Sequence, residues 1–258
     1  GNVVGDAIYK KKCPECGAVR KDNQLGLEET PEKFVENLVN VFREVKRVLR
    51  DDGTVWLNLG DSYCGTGHKG DHIDPKHKDA RTGQKVALNN KVQGLKSKDL
   101  VGIPWRVAFA LQADGWYLRQ DIIWHKPNPM PESVTDRCTK SHEYIFLLSK
   151  NAKYYYDNEA IKEKAVGERW GGNNPINMRN TKDIDNQFSG LTRERKMLYD
   201  EKNKRSVWTI TPKSFKEAHF ATFPIDLIEP CILAGCPENG TVLDPFGGSG
   251  TVGLASNG

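Results

Sequence analysis

The sequence has no apolar run long enough to span a membrane and no signal-peptide pattern at its N-terminus, which disfavours membrane proteins and exported precursors. Cysteine is scarce: six unevenly spaced cysteines in 258 residues do not suggest a disulfide framework, and reduced thiols of a cytoplasmic protein are expected. A strong excess of one charge is also missing. The net charge of +4 and the pI near 8.6 permit a nucleic-acid partner without requiring one.

The length and polarity of the chain predict one water-soluble domain covering residues 1–258. A hydrophobic fraction of 37% over 258 residues is enough to bury a sizeable core, and the mean hydropathy of −0.64 is that of a polar protein. The chain starts at Gly1 instead of Met and stops at Gly258, just after a predicted helix begins. Both ends are therefore expected to be cut.

The most informative stretch lies near the end of the chain, at residues 240–251. Val242 and Leu243 predict a short buried strand, followed by Asp-Pro-Phe, a turn with three glycines, and a helix from Thr251. A strand, a glycine turn and a helix start form the arrangement with which an open parallel sheet holds a cofactor. The pattern is not the Gly-x-Gly-x-x-Gly of dinucleotide sites. An ordinary glycine turn is the alternative.

Helices and strands alternate along the chain, which indicates an α/β fold. Thr30 and Pro31 suit the N-cap and first position of a helix with apolar residues at helical spacing up to Arg50. The other predicted elements are strands at 54–59, 116–124, 143–150 and 154–156, and helices at 103–111, 225–233 and 251–255.

Two long polar segments and one cysteine pair interrupt this pattern. Residues 64–99 predict either a basic loop along a phosphate backbone or a solvated loop without a role. Within residues 1–26, Cys13 and Cys16 form a Cys-x-x-Cys knuckle, which is half of a structural zinc site or else two free thiols. The only nearby candidates for further ligands within the chain are Cys64 and His68, and partners preceding Gly1 are the hypothesis.

Five motifs follow one another along the chain, at residues 57–63, 121–128, 141–144, 219–224 and 244–246. Their order resembles the β-group of DNA amino-methyltransferases, which modify adenine-N6 or cytosine-N4. The resemblance implies a Rossmann-like fold with a seven-stranded, mostly parallel sheet and helices on both faces. It implies S-adenosylmethionine as cofactor and double-stranded DNA, not a membrane, as partner. The protein is then expected to be DNA-associated, in the cytoplasm of a prokaryote or phage-encoded, with target recognition by residues 157–205 and cofactor binding within 206–258.

The resemblance also implies the roles of individual residues. Cofactor binding falls on Thr222, Phe223, Asp244, Pro245, Phe246, Gly247, Gly248, Ser249 and Gly250. Phe223 and Pro224 equally suit a hydrophobic staple and a first helical position. Lys126 and Asn128 are expected to contact phosphate or the extruded base, and Trp124 either joins them or lies in the core. Asp61 has either a site role or the role of a turn and capping carboxylate.

The sequence departs from the family pattern in two respects. The catalytic signature, a polar residue followed by Pro-Pro-aromatic, is expected before Pro31, yet no Pro-Pro pair occurs anywhere in the chain. The acidic residue that would bind the ribose hydroxyls beyond the glycine turn is also missing. No catalytic residue is thus identified, apart from the open case of Asp61. The expected activity is methylation of cytosine or adenine; the alternatives are an inactive DNA-binding relative and a methyltransferase of RNA or small molecules.

Overall fold

A computed structural model describes residues 25–26, 28–65, 94–164, 201–212, 223–248 and 250–256. The chain divides into two compact units, one of residues 1–48 and 59–115 and the other of residues 49–58 and 116–258. The helices are α1 (Pro31–Val48), α2 (Ile103–Ala113), α3 (Ile225–Gly235) and α4 (Thr251–Ser256); the strands are β1 (Thr54–Leu59), β2 (Tyr117–His125), β3 (His142–Ser149), β4 (Glu163–Lys164), β5 (Glu201–Lys202) and β6 (Val207–Thr209).

The first unit is built on two helices that the sequence predicts. Helix α1 begins as expected, because Thr30 Oγ1 accepts a hydrogen bond from the Lys33 amide at 3.2 Å. Its buried residues recur every three or four positions and pack against α2. Helix α2 ends at Asp114, whose carboxylate pairs with Arg43 of α1 at 2.5 Å.

The second unit contains a four-stranded sheet in the order β1-β3-β2-β6. Strand β2 is antiparallel to β3 and parallel to β6, so the described sheet is mixed. The reason is the connection of residues 126–141, which contains no helix: an antiparallel return needs no crossover helix, whereas a parallel one does. The seven strands of the family remain a prediction.

Helix α3 covers one face of this sheet. Leu227 and Cys231 of α3 join Trp124 and Trp208 in the buried cluster, with Phe223 packed against its edge. The helix ends against β1 at Gly235, where a Cβ would lie 2.5 Å from Trp56 Nε1. This close approach explains the glycine.

The predicted strand at Val242 and Leu243 is wrong. Residues 241–244 have no strand assignment, and Leu243 is 58% exposed. Two apolar residues do not make a strand without a neighbouring ladder, and none of the described strands pairs with this segment.

The short strand predicted at residues 154–156 is also wrong. These tyrosines make side-chain contacts instead of a ladder: the ring of Tyr156 stacks on Trp56 at 6.3 Å, and Arg119 lies over Tyr154. The Tyr155 amide donates a single hydrogen bond to the Asp52 carbonyl at 2.8 Å. The tyrosines favour a strand by their β-propensity, but in this structure their side chains pack against other rings and an arginine instead.

Several predictions concern residues that lie outside the described ranges. They are Cys13, Cys16, His68, Thr222 and Ser249, together with most of segments 64–99 and 157–205. Among the residues that are described, no helix is both long and apolar enough to cross a membrane. The prediction of one domain for residues 1–258 stays a prediction beside the two compact units.

Candidate functional site

The glycine turn of residues 244–250 is held by two local hydrogen bonds. Asp244 Oδ1 accepts one from the Phe246 amide at 2.9 Å, and the Gly247 carbonyl accepts one from the Gly250 amide at 2.7 Å. Gly248 and Gly250 have φ values of +48° and +75°, a region that side chains other than glycine enter at a cost. Helix α4 begins immediately afterwards, as predicted.

This turn is open on its outer side. A Cβ at Gly247 or Gly250 would meet no atom within 4 Å, and the Phe246 ring is 49% exposed. Backbone in open space at a turn that leads into a helix fits a ligand that approaches the main chain closely. Pro245 is exposed beside it. The described residues of the turn therefore suit a nucleoside cofactor, with Phe246 as an apolar wall.

The start of helix α3 is the second predicted part of the cofactor pocket. Phe223 is half-buried and packs against the sheet cluster, which agrees with the staple interpretation. The helix begins at Ile225, so Pro224, with extended backbone, occupies the N-cap position and not the first helical position. Thr222 lies outside the described residues.

Polar side chains gather where strand β2 ends. His125 is the last residue of β2, and its Nδ1 lies 3.2 Å from Thr209 Oγ1 at the end of the parallel strand β6. Asn58, near the end of β1, donates from Nδ2 to the Tyr144 carbonyl at 3.0 Å, near the start of β3. The ends of β1, β2 and β6 therefore share one edge of the sheet, where α/β proteins bind ligands.

Of the three residues predicted to contact DNA, two are held by the protein itself. Trp124 is 3% exposed, and its Nε1 donates to the Ile210 carbonyl at 2.9 Å, so it belongs to the core. Lys126 is half-buried, with Nζ paired to Glu143 and 4.1 Å from the centre of the Trp124 ring. Only Asn128 is exposed.

The cap interpretation of Asp61 has direct structural support in the first unit. Its Oδ1 accepts hydrogen bonds from the amides of Ser62 at 2.9 Å, Gly102 at 2.9 Å and Ile103 at 3.0 Å. Gly102 precedes α2 with φ of +76° and offers no side chain of its own. Asp61 therefore caps α2 from a distant position in the sequence.

Replacing Asp61 with alanine is expected to destabilise the protein by about 1–3 kcal/mol, because two amides at the start of α2 and the Ser62 amide lose their acceptor. The asparagine variant keeps a carbonyl oxygen and should lose less than about 1 kcal/mol. Urea unfolding of both variants measures the difference. An alanine variant that unfolds like the wild type but loses cofactor or DNA binding would instead support a site role.

The cysteines of the described residues offer no nucleophile. Cys64 and Cys231 are buried, Cys236 is half-buried, and Cys138 is exposed. Burial raises the pKa of the Cys231 thiol far above its ordinary value, so it stays protonated. Within the described ranges, no group of three His, Cys, Asp or Glu residues could hold a metal.

The ends of the predicted recognition segment are tied together. Strands β4 and β5 pair antiparallel across it, and Glu163 forms ion pairs with Lys202 at 3.5 Å and Arg205 at 2.5 Å. Burial alone would raise the pKa of Glu163, but these two partners hold it below its ordinary value. The second end of the segment lies just before β6, which is the edge strand of the four-stranded sheet.

Comparison with known proteins agrees with these features. A family model described as DNA methylase matches residues 3–257. Type II methyltransferase M.Cfr9I of Citrobacter freundii is 49% identical over 233 residues, covering 90% of this chain and 66% of that protein. Type II methyltransferase M.SmaI of Serratia marcescens is 47% identical over 232 residues, covering 90% and 68%. The chain thus spans about two thirds of the length of these relatives.

One solved structure supports the fold. PvuII DNA methyltransferase (cytosine-N4-specific) superposes with a TM-score of 0.55 at 16% identity, covering 92% of this chain and 66% of that one. At such identity the likeness concerns the fold alone. The chain has the Rossmann-like fold of methyltransferases, as its sequence predicts.

Proposed function

Because the chain belongs to the N6/N4 DNA methylase family, we propose that it is part of a site-specific DNA methyltransferase. The enzyme transfers a methyl group from S-adenosylmethionine to the exocyclic amine of cytosine (N4) or adenine (N6). The observation that carries this proposal is the open glycine turn of residues 244–250, which leaves backbone accessible beside a helix start. Both target bases remain in the proposal.

The cofactor would lie against the glycine turn and the start of α3. When bound, S-adenosylmethionine supplies an electrophilic methyl group on its sulfonium. Gly247 and Gly250 let the main chain approach the ligand, and Phe246 offers its exposed ring as a wall. Phe223 would close the pocket from α3 together with Thr222 and Ser249.

The DNA would lie at the sheet edge where β2 ends. A buried amine in a base pair is out of reach, so the target base has to leave the stack. Asn128 is the exposed polar candidate for a contact with the base or a phosphate. Lys126 would reach the DNA only by exchanging its Glu143 partner for a phosphate.

Positioning supplies most of the proposed catalysis. Transfer of a methyl group to an amine needs an in-line arrangement and no covalent enzyme intermediate. The protected thiol of Cys231 agrees with this, because no activated cysteine is required. The residues that would hold the amino group are not identified in this chain, since the Pro-Pro-aromatic signature is absent from its sequence.

The test is methyl transfer by the full-length gene product to unmethylated duplex DNA in the presence of S-adenosylmethionine. Digestion to nucleosides followed by mass spectrometry distinguishes N4-methylcytosine from N6-methyladenine, and sequencing of the modified sites defines the target. Duplex DNA should be preferred over RNA in a competition assay. Failure of the full-length protein to bind the cofactor in calorimetry contradicts the proposal.

An inactive DNA-binding relative is the second candidate that the sequence raises. The same experiment separates the two. Specific DNA binding without any modified base, at protein concentrations that saturate the DNA, identifies the relative; a single modified nucleoside eliminates it.

A further inference from the structure

The loop that follows β2 carries one apolar side chain outward. Met130 is 85% exposed, more than any other large hydrophobic side chain in the described residues. A single exposed hydrophobic residue means little by itself, because protein surfaces contain many. Met130 differs from such residues in two respects: its loop is conformationally restricted, and it lies next to the sheet edge where β2 ends.

The loop is stiffened by three alternating prolines. Pro127, Pro129 and Pro131 have φ fixed near −65°, and the residues preceding them, Lys126, Asn128 and Met130, are each restricted to extended backbone. All six consecutive residues are thus conformationally limited. Little backbone entropy remains to be lost when this loop meets a partner.

Both ends of the loop are anchored. At the start, the Lys126 amide donates to the Ser141 carbonyl at 2.7 Å, and its ammonium pairs with Glu143. At the far end, Glu132 pairs with Arg137 at 2.6 Å. The hydrogen bond from Arg137 lowers the pKa of Glu132, so the pair stays charged at neutral pH.

Base extrusion leaves a gap in the duplex that an apolar side chain on this loop could fill. A base that leaves the stack opens a gap in the duplex, and proteins that unstack DNA insert apolar wedges, methionine among them. The loop extends from the end of β2, at the edge where β1 and β6 also end. We propose that Met130 enters the duplex at the target site and occupies the space that the extruded base vacates.

This inference rests on the proposed methylation of DNA and goes beyond it by naming the residue that stabilises the extruded state. Met130 is a positioning residue, because it acts on the duplex and not on the reacting atoms. Its effect should therefore depend on how firmly the target base is paired. That dependence distinguishes a wedge from a residue that merely supports the fold.

The test compares Met130→Ala, Met130→Leu and the wild type on two short duplexes with the mapped target site. In one duplex the target base is paired; in the other it faces a base with which it cannot pair. Met130→Ala should methylate the paired duplex about 10- to 100-fold more slowly, and the mismatched duplex within about 3-fold of the wild type. Met130→Leu keeps the apolar bulk and should stay within about 3-fold on both.

A second readout does not require turnover. 2-Aminopurine at the target position brightens when it leaves the stack, and this increase should be clearly smaller with Met130→Ala than with the wild type. Tyr117→Ala is the matched control, since Tyr117 is an exposed aromatic residue at the opposite end of the same strand. It should behave as the wild type in both assays.

Two outcomes would overturn the inference while leaving the proposed function intact. One is equal activity of Met130→Ala and the wild type on the paired duplex. The other is an equal loss on the paired and mismatched duplexes, which would indicate a structural role for the loop. A wild-type protein that methylates neither duplex overturns the proposed function and the wedge together.

Discussion

Replacing Asp244 with alanine is expected to weaken the binding of S-adenosylmethionine by about 10- to 100-fold. The Asp244 carboxylate accepts the Phe246 amide at 2.9 Å and shapes the glycine turn from within. A hydrogen bond to a charged group contributes about 1.5–3 kcal/mol, which corresponds to this range of affinity. Isothermal titration calorimetry of the full-length protein with the cofactor measures the change.

Two matched variants distinguish the effect of the Asp244 hydrogen bond on cofactor affinity from the effect of its negative charge. Asp244→Asn keeps an oxygen that accepts the Phe246 amide, so it should lose less than about 5-fold in affinity if geometry matters most. Glu238→Gln removes an exposed carboxylate from the preceding turn and should leave binding unchanged. Unaltered affinity of Asp244→Ala would mean that residues 244–250 do not hold the cofactor.

The helices could be predicted because their signals are local. Thr30 and Pro31 mark the start of α1, and the cap is found as expected. Helix α2 likewise begins at the predicted Ile103 and extends two residues beyond the predicted 103–111, to Ala113. Its N-terminal cap could not be predicted, because Asp61 lies forty-odd positions earlier and only the fold brings it to Gly102. The sequence left the two interpretations of Asp61 open for that reason.

The strands show where local patterns stop being sufficient. Strand β3 is predictable from a long apolar run and β2 from its aromatic and β-branched residues, whereas their antiparallel pairing depends on a connection whose path the residues do not specify. The apolar pair at residues 242–243 and the tyrosines at 154–156 have strand composition but no ladder partner in the described structure. A strand is defined by its neighbour, which sequence composition does not supply.

The roles of the candidate site residues stay predictions. The family resemblance singles out Lys126 and Asn128, but the Glu143 partner of Lys126 is visible only once β2 and β3 are paired. The sequence analysis does not single out Met130, although prolines at positions 127, 129 and 131 restrict the backbone around it. A methionine in a sequence is expected in the core, and only the fold shows that the Met130 side chain is exposed.

Replacing Trp124 with alanine is expected to lower the free energy of unfolding by about 3–5 kcal/mol, because the side chain fills the core between the sheet and α3. Trp124→Phe keeps most of the bulk but leaves the Ile210 carbonyl without its indole donor, and should cost about 1–3 kcal/mol. Urea unfolding monitored by circular dichroism measures both. The free energy of unfolding should therefore be lowest for the alanine variant, intermediate for the phenylalanine variant and highest for the wild type, because alanine loses both packing and the hydrogen bond and phenylalanine mainly the hydrogen bond.

The same variants decide between the two roles that the sequence left open for Trp124. A base-stacking residue would change DNA affinity and leave stability nearly intact, whereas the buried residue described here does the reverse. Phe109→Ala, which removes a ring that is 55% exposed, should shift stability by no more than about 0.5 kcal/mol and controls for the loss of an aromatic side chain. If Trp124→Phe retains full stability yet loses DNA binding, the indole reaches the DNA, and the end of β2 must open to release it. If the variants are less stable but still bind DNA, the contact falls on the exposed residues of the loop that follows β2. Trp124 then serves as packed support for Lys126, whose ammonium lies over its ring.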